Sequence, residues 1–213
     1  MFEIIKAGVW VMLPIIACSI LALAIIAERL WSLQTQRVMP KDLVCQIWQL
    51  RRMGKLTQNY IASLRDGSPL GRILAAGLTN MHDDRSVMKE SIEGTGPHVV
   101  HELERFLNTL GTIATISPLM GLLGTVIGIM RIFGAINDAG VGDPQQIAGG
   151  ISVALITTVA GLIVAIPSLF FYRYLRGRID NLVINMEAEA LKLIEVMRGE
   201  QRRQVGVVKG DAA

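Results

Sequence analysis

Two cysteines in 213 residues are too few for a disulfide framework, and they are poorly placed for one: Cys18 lies in an apolar run and Cys45 in a polar segment. Aromatic residues are also scarce, at 5%, and the basic residues are not interleaved with them, which argues against a nucleic-acid surface. The most informative absence is charge. Residues 7–27, 106–130 and 144–172 contain no Asp, Glu, Lys or Arg, so all 21 basic and 18 acidic residues crowd into the remainder.

A bilayer core needs about 20 consecutive apolar residues per helix, and each uncharged stretch holds such a segment. The expected fold is therefore an all-α integral membrane protein with three transmembrane helices. This excludes a soluble enzyme, a secreted disulfide scaffold and a disordered chain. Ile15, Ile16, Ala17 and Cys18 resemble a lipoprotein cleavage box. However, Glu3 opposes Lys6 where a signal peptide would have a basic region, and the apolar run continues past Cys18, so the first helix is retained.

Orientation follows from the flanking cations. Residues 28–105 contain 11 Lys/Arg and residues 173–213 contain 8, whereas the connector 137–143 has two aspartates and no cation. The positive-inside rule puts the N-terminus and the short connector outside and most of the polar mass in the cytoplasm. The expected organisation is an N-terminal segment with the first span (1–34), a cytoplasmic helical region (35–105), a second span (106–136), a short periplasmic loop (137–147), a third span (148–175) and a cytoplasmic helical tail (176–213).

The polar regions read as helical, since apolar residues recur at three and four without useful alternation. Pro40 starts a helix through Leu43, Ile47 and Leu50, and Gly54 breaks it. Ser68-Pro69 is an N-cap followed by proline at the first helical position, opening a helix to about Met81. Pro97 is expected to begin a helix carrying His98, His101 and Arg105 straight into the second span. In the tail, Ile179, Leu182, Met186, Ala190, Leu193 and Met197 form one stripe, and nothing stops the third span from continuing into it. The residues after Gly199 are expected to fray.

The spans differ in kind. The first is bulky and reads as lipid-facing. The second places Ser117, Gly121, Gly124, Thr125 and Gly128 on one face, and the third does the same with Ala154, Thr158, Gly161 and Ala165. Small residues at such spacing let helices approach closely where lipid provides no hydrophobic drive. Packing of one helix pair within a chain would use one such face on each helix. With Pro118 and Pro167 also shaping these spans, the pattern points further, to oligomerisation around a shared axis. Thr125 lies 13 residues before Asp138 and Thr158 lies 15 after Asp143, so at about 1.5 Å per residue the two sit within roughly 3 Å of one depth. Such hydroxyls can relay a proton, or each can bond its own helix carbonyl one turn back.

These residues resemble a family. The run from Leu107 to Ala114, then Ser117-Pro118-Leu119-Met120-Gly121-Leu122-Leu123-Gly124-Thr125-Val126-Ile127-Gly128, is similar to the second-span signature of MotA/TolQ/ExbB proton-channel proteins. The similarity resumes at Gly149-Gly150-Ile151-Ser152 and runs through Ala154-Leu155-Ile156-Thr157-Thr158 to Gly161 and Ala165-Ile166-Pro167, closest to the ExbB/TolQ branch. The resemblance implies a homopentamer, its spans extended into a cytoplasmic helical bundle, in the bacterial inner membrane. Its second and third spans would enclose the helices of a dimeric ExbD/TolR-type single-span partner, and proton flow would drive a TonB- or TolA-type force transducer. Thr125, Thr158 and Thr157 would line the ion pathway, with Ser117, Gly121, Gly124, Gly128, Ala154, Gly161 and Ala165 packing the pore. No cofactor, metal or enzymatic activity is implied.

One departure matters. The family's span-three glutamate, in the setting Gly-Ile-x-Glu-Ala-Leu, is replaced by Val153 in Gly150-Ile151-Ser152-Val153-Ala154-Leu155. A membrane carboxylate is expensive and normally functional, so the alternative to a conducting stator is a non-conducting scaffold of the same fold. A serine hydrolase built on Ser152 lacks a base, because His82, His98 and His101 all lie outside the uncharged stretches. A metal site at His98, His101 and Glu102 would need a further histidine or cysteine nearby. Arg131 stands where it can snorkel at the interface or pair with Asp138.

Overall fold

The computed structural model describes residues 2–81, 83–139 and 144–210. The described residues form eight α-helices: α1 (Phe2–Ser32), α2 (Thr35–Val38), α3 (Leu43–Arg52), α4 (Gln58–Gly67), α5 (Pro69–Thr79), α6 (Arg85–Leu103), α7 (Leu107–Ala139) and α8 (Pro144–Gly210). Three segments, Val11–Ser32, Leu107–Gly134 and Ile147–Met197, lie in helices long and apolar enough to cross a membrane. Helix is the natural solution there, because it satisfies every backbone polar group without water.

The chain divides into two compact units, Met1–Leu30 with Phe106–Arg176, and Trp31–Arg105 with Gly177–Ala213. In the first, α1 buries one stripe of Val11, Ile15, Ala22 and Ile26 while Leu13, Ile16, Ile20 and Leu23 stay exposed. That stripe ends at Arg29, buried to 4% exposure, whose guanidinium pairs with Glu28 at 2.7 Å and lies 5.5 Å from the centre of the Phe106 ring.

The second unit is built around α5. Ser68 caps it, its Oγ accepting from the Gly71 N–H at 3.0 Å, and Pro69 occupies the first turn. Leu70, Ile73, Leu74, Ala75 and Leu78 of α5 are all buried, with α4 and α6 packed against the helix. Later in α8 the stripe Ile179, Leu182, Met186, Ala190, Leu193 and Met197 is buried throughout, and Arg178 Nε donates to the Leu33 carbonyl at 2.9 Å. Helices α3, α4 and α5 are amphipathic, and their apolar faces supply the core together with the α8 stripe.

The structure differs from the expected pattern at two places. Pro97 does not begin a helix that runs into α7. It sits inside α6, where its fixed φ is helical and its missing N–H costs one bond to the Glu93 carbonyl. The break falls later, between Leu103 and Leu107, where Phe106 adopts φ 62° and its carbonyl accepts from the Leu110 N–H to open α7. A bulky residue at positive φ is strained by about 1–2 kcal/mol, and the Arg29 contact over its ring helps offset that cost. After Gly199, where fraying is expected, α8 continues as helix to Gly210 through Glu200–Gln204, a run rich in good helix formers. Residues 137–139 and 144–147 of the expected loop are helical, while Asp143 and His82 lie outside the described residues, as does the side chain of Asp138.

The turn after α3 isolates a backbone effect. Gly54 has φ +65° with nothing within 4 Å of a Cβ placed on it, and Gly67 at the end of α4 is equally open without a positive φ. Gly54→Ala is expected to lower the stability of the detergent-solubilised protein by about 1 kcal/mol, and Gly67→Ala to leave it unchanged or raise it by about 0.5 kcal/mol. Thermal unfolding of the pair measures this, and equal effects would show that conformation at residue 54 is not the cause.

A hydroxyl-bearing helix seam as the candidate functional site

Helices α7 and α8 approach through residues that have little or no side chain. A Cβ on Gly121 would lie 3.0 Å from Thr158 Cα, one on Gly128 would lie 3.0 Å from Ala154 Cβ, and one on Gly161 would lie 2.5 Å from the Ser117 carbonyl oxygen. A Cβ on Gly124 would collide with the Thr157 side chain. Backbone therefore meets backbone, the contact that drives helix association in lipid. Ser117, Ala154, Thr157 and Ala165 are buried along this seam. Pro118 and Pro167 lie inside α7 and α8 without ending either helix, and Val153 is half-buried beside Ala154.

The seam collects hydroxyls. Thr125 Oγ1 donates to the Leu122 carbonyl of its own helix at 2.6 Å, and the buried Thr157 Oγ1 donates to Ala154 O at 2.9 Å. Thr158 differs, because its Oγ1 lies 3.2 Å from Ala154 O one turn back and 3.2 Å from Gly121 O across the seam. Its contact with Gly121 puts Thr158 four residues from Thr125 along α7, about 6 Å. That is more than the depth match expected from the two aspartates. The expected match took Asp138 and Asp143 as marks of one depth, and Asp143 lies outside the described residues.

Two further hydroxyls complete the set. Ser168 Oγ, buried, donates to Val164 O at 2.7 Å. Ser117 is fully buried, and its Oγ has no hydrogen-bond partner among the described residues. Leaving such a group unpaired costs about 1–3 kcal/mol. Small-residue spacing marks Ser117 as a packing residue and gives no sign of its unsatisfied oxygen. Ser168 follows Pro167 outside the small-residue pattern, so only its place on the buried face could have identified it.

Outside the seam, α7 exposes Leu119, Leu122, Val126 and Met130, and α8 exposes Leu155, Val159, Ile163 and Ile166. Apolar exposure on this scale belongs against lipid or another chain. His98, His101 and Glu102 lie on α6, where Glu102 forms an ion pair with Arg72, and no group of three His, Cys, Asp or Glu among the described residues is disposed to hold a metal.

A family model described as the MotA/TolQ/ExbB proton channel family matches residues 65–188. An ExbB-like biopolymer transport protein of Synechocystis sp. is 35% identical over 176 residues, covering 81% of this chain and 69% of that protein. An ExbB biopolymer transport protein of Vibrio cholerae is 31% identical over 163 residues, covering 73% and 70%. The Tol-Pal system protein TolQ of Haemophilus influenzae is 30% identical over 191 residues, covering 83% of each chain.

The seam predicts a sharp contrast among glycines. Gly124→Ala and Gly161→Ala must push the helices apart and are each expected to destabilise the protein by about 1–3 kcal/mol, whereas Gly134→Ala, with nothing within 4 Å, is expected to be neutral or mildly stabilising. Unfolding in detergent separates the two classes, and a seam that absorbs alanine at residue 124 without loss would refute the close approach.

Proposed function

The chain belongs to the MotA/TolQ/ExbB proton channel family, and from that premise we propose that it is the stator subunit of a proton-motive-force-driven motor of ExbB–ExbD or TolQ–TolR type. In this reading several copies, five by family resemblance, stand in the bacterial inner membrane with the N-terminus periplasmic and the C-terminus cytoplasmic. They enclose the single-span helices of an ExbD/TolR-type dimer, and relative motion is passed to a TonB- or TolA-type protein.

The observation that carries the reading is the set of hydroxyls Thr125, Thr157 and Thr158 within residues 106–130 and 144–172, which hold no charged side chain. A hydroxyl donates one hydrogen bond and accepts two, so it can support a protonated water where a bare charge is costly. Thr158 has two carbonyls within donor reach, Gly121 and Ala154, and its lone pairs stay free while it donates to either. With Val153 at the glutamate position, the titrating carboxylate is assigned to the partner helix.

The test is proton flux into vesicles holding the chain together with its single-span, carboxylate-bearing partner. Thr158→Val, which removes the hydroxyl and keeps the shape, is expected to lower flux about tenfold, the factor for loss of one hydrogen bond of typical net strength. Flux indifferent to both Thr125→Val and Thr158→Val would remove the pathway assignment, and no flux from wild type with its partner would make the protein a non-conducting scaffold of the same fold. Val153→Glu is expected to assemble with the partner as wild type does, since residue 153 is half-buried. Failure of the variant to co-purify would mean that this position cannot hold a carboxylate.

A further inference from the structure

Ser117 is enclosed by its own chain, and its Oγ meets no donor or acceptor among the described residues. Buried side-chain oxygens in folded proteins almost always have a partner, protein or water. The next residue, Pro118, lies inside α7 and has no N–H, so the carbonyl of the buried Ala114, one turn earlier on the same side of the helix, lacks its usual helical donor. An unpartnered hydroxyl and a carbonyl without its helical donor thus lie one turn apart on α7, where a Cβ on Gly161 of α8 would stand 2.5 Å from the Ser117 carbonyl oxygen. With no exposed surface at Ser117, neither a second copy nor a lipid headgroup can reach this oxygen. A water molecule is small enough, and it can donate to the Ala114 carbonyl oxygen while also donating to or accepting from the hydroxyl.

We propose that Ser117 Oγ and the Ala114 carbonyl bind a water molecule inside the α7–α8 seam, and that this water extends the Thr125–Thr157–Thr158 hydroxyl route toward the Leu107 end of α7. Thr158 reaches Gly121 O one turn from Ser117, so the groups follow one another along the seam. Each transfer forms one O–H bond on the accepting oxygen and breaks one on the donating oxygen: the water takes up a proton on one side and releases one of its own on the other, and a hydroxyl in the route likewise accepts one proton, gives up its own and then rotates back. The role in transport rests on the proton-channel reading, whereas the presence of the water does not.

Two measurements separate these. In the full chain with Cys18→Ala and Cys45→Ser, the Ser117→Cys thiol is followed by infrared spectroscopy as its S–H band converts to S–D in heavy water. The references are the native Cys18 thiol, in an apolar span, observed with Cys45→Ser, and the exposed Cys45 thiol, observed with Cys18→Ala, Ser117 being retained in both. Exchange as fast as at Cys45 is expected, and exchange as slow as at Cys18 overturns the proposal. Ser117→Ala, which only deletes an atom and so cannot crowd the seam, is expected to keep wild-type thermal stability while lowering partner-dependent flux about tenfold. Unchanged flux in that variant also overturns the proposal. If the wild-type complex conducts no protons, the proton-channel reading fails, and the bound water is judged by exchange alone.

Discussion

The approach of α7 and α8 backbone to backbone is the constraint on which the first unit depends. Lipid rewards contact between helices only through packing and polar bonds, so association requires residues small enough to bring main chains together. Gly121, Gly124, Gly128 and Gly161 meet that requirement, and the same closeness brings Thr158 within reach of a carbonyl on the other helix. Packing and chemistry are therefore one feature here. A larger residue at Gly121 would fill space and also remove the Thr158 hydroxyl from its second acceptor.

The second unit follows the rules of water-soluble proteins. Its helices α3, α4 and α5 are amphipathic, α5 is capped by Ser68 and Pro69, and its buried stripe on α8 keeps steps of three and four. These features were legible in the sequence because each rests on local chemistry: an oxygen at an N-cap, a ring with fixed φ, a regular apolar spacing. The spans were legible for a similar reason, since excluding charge from hydrocarbon leaves an unmistakable gap in composition.

What the sequence left open depends on contacts between distant residues. The break before α7 is set by Phe106 at positive φ beneath Arg29, 77 positions away in the chain, and no local signal announces it. Thr157 and Thr158 are adjacent and chemically alike, yet one packs into the space over Gly124 and the other bridges to Gly121, because a helix turns by about 100° between them. The small-residue faces pointed beyond packing within a chain, to oligomerisation around a shared axis. Within this chain they are used against each other, and the bulkier surfaces beside them are the ones left exposed.

Val153 leaves residues 106–130 and 144–172 without a carboxylate, imidazole, amine or guanidinium. Across the ordinary pH range such a pair of segments binds the same number of protons folded and unfolded, and by linkage its stability has no slope in pH. Hydroxyls can pass a proton on without holding one at equilibrium. Residues 106–130 and 144–172 thus add no pH dependence of their own to the stability of α7 and α8, whose charged groups all lie beyond them.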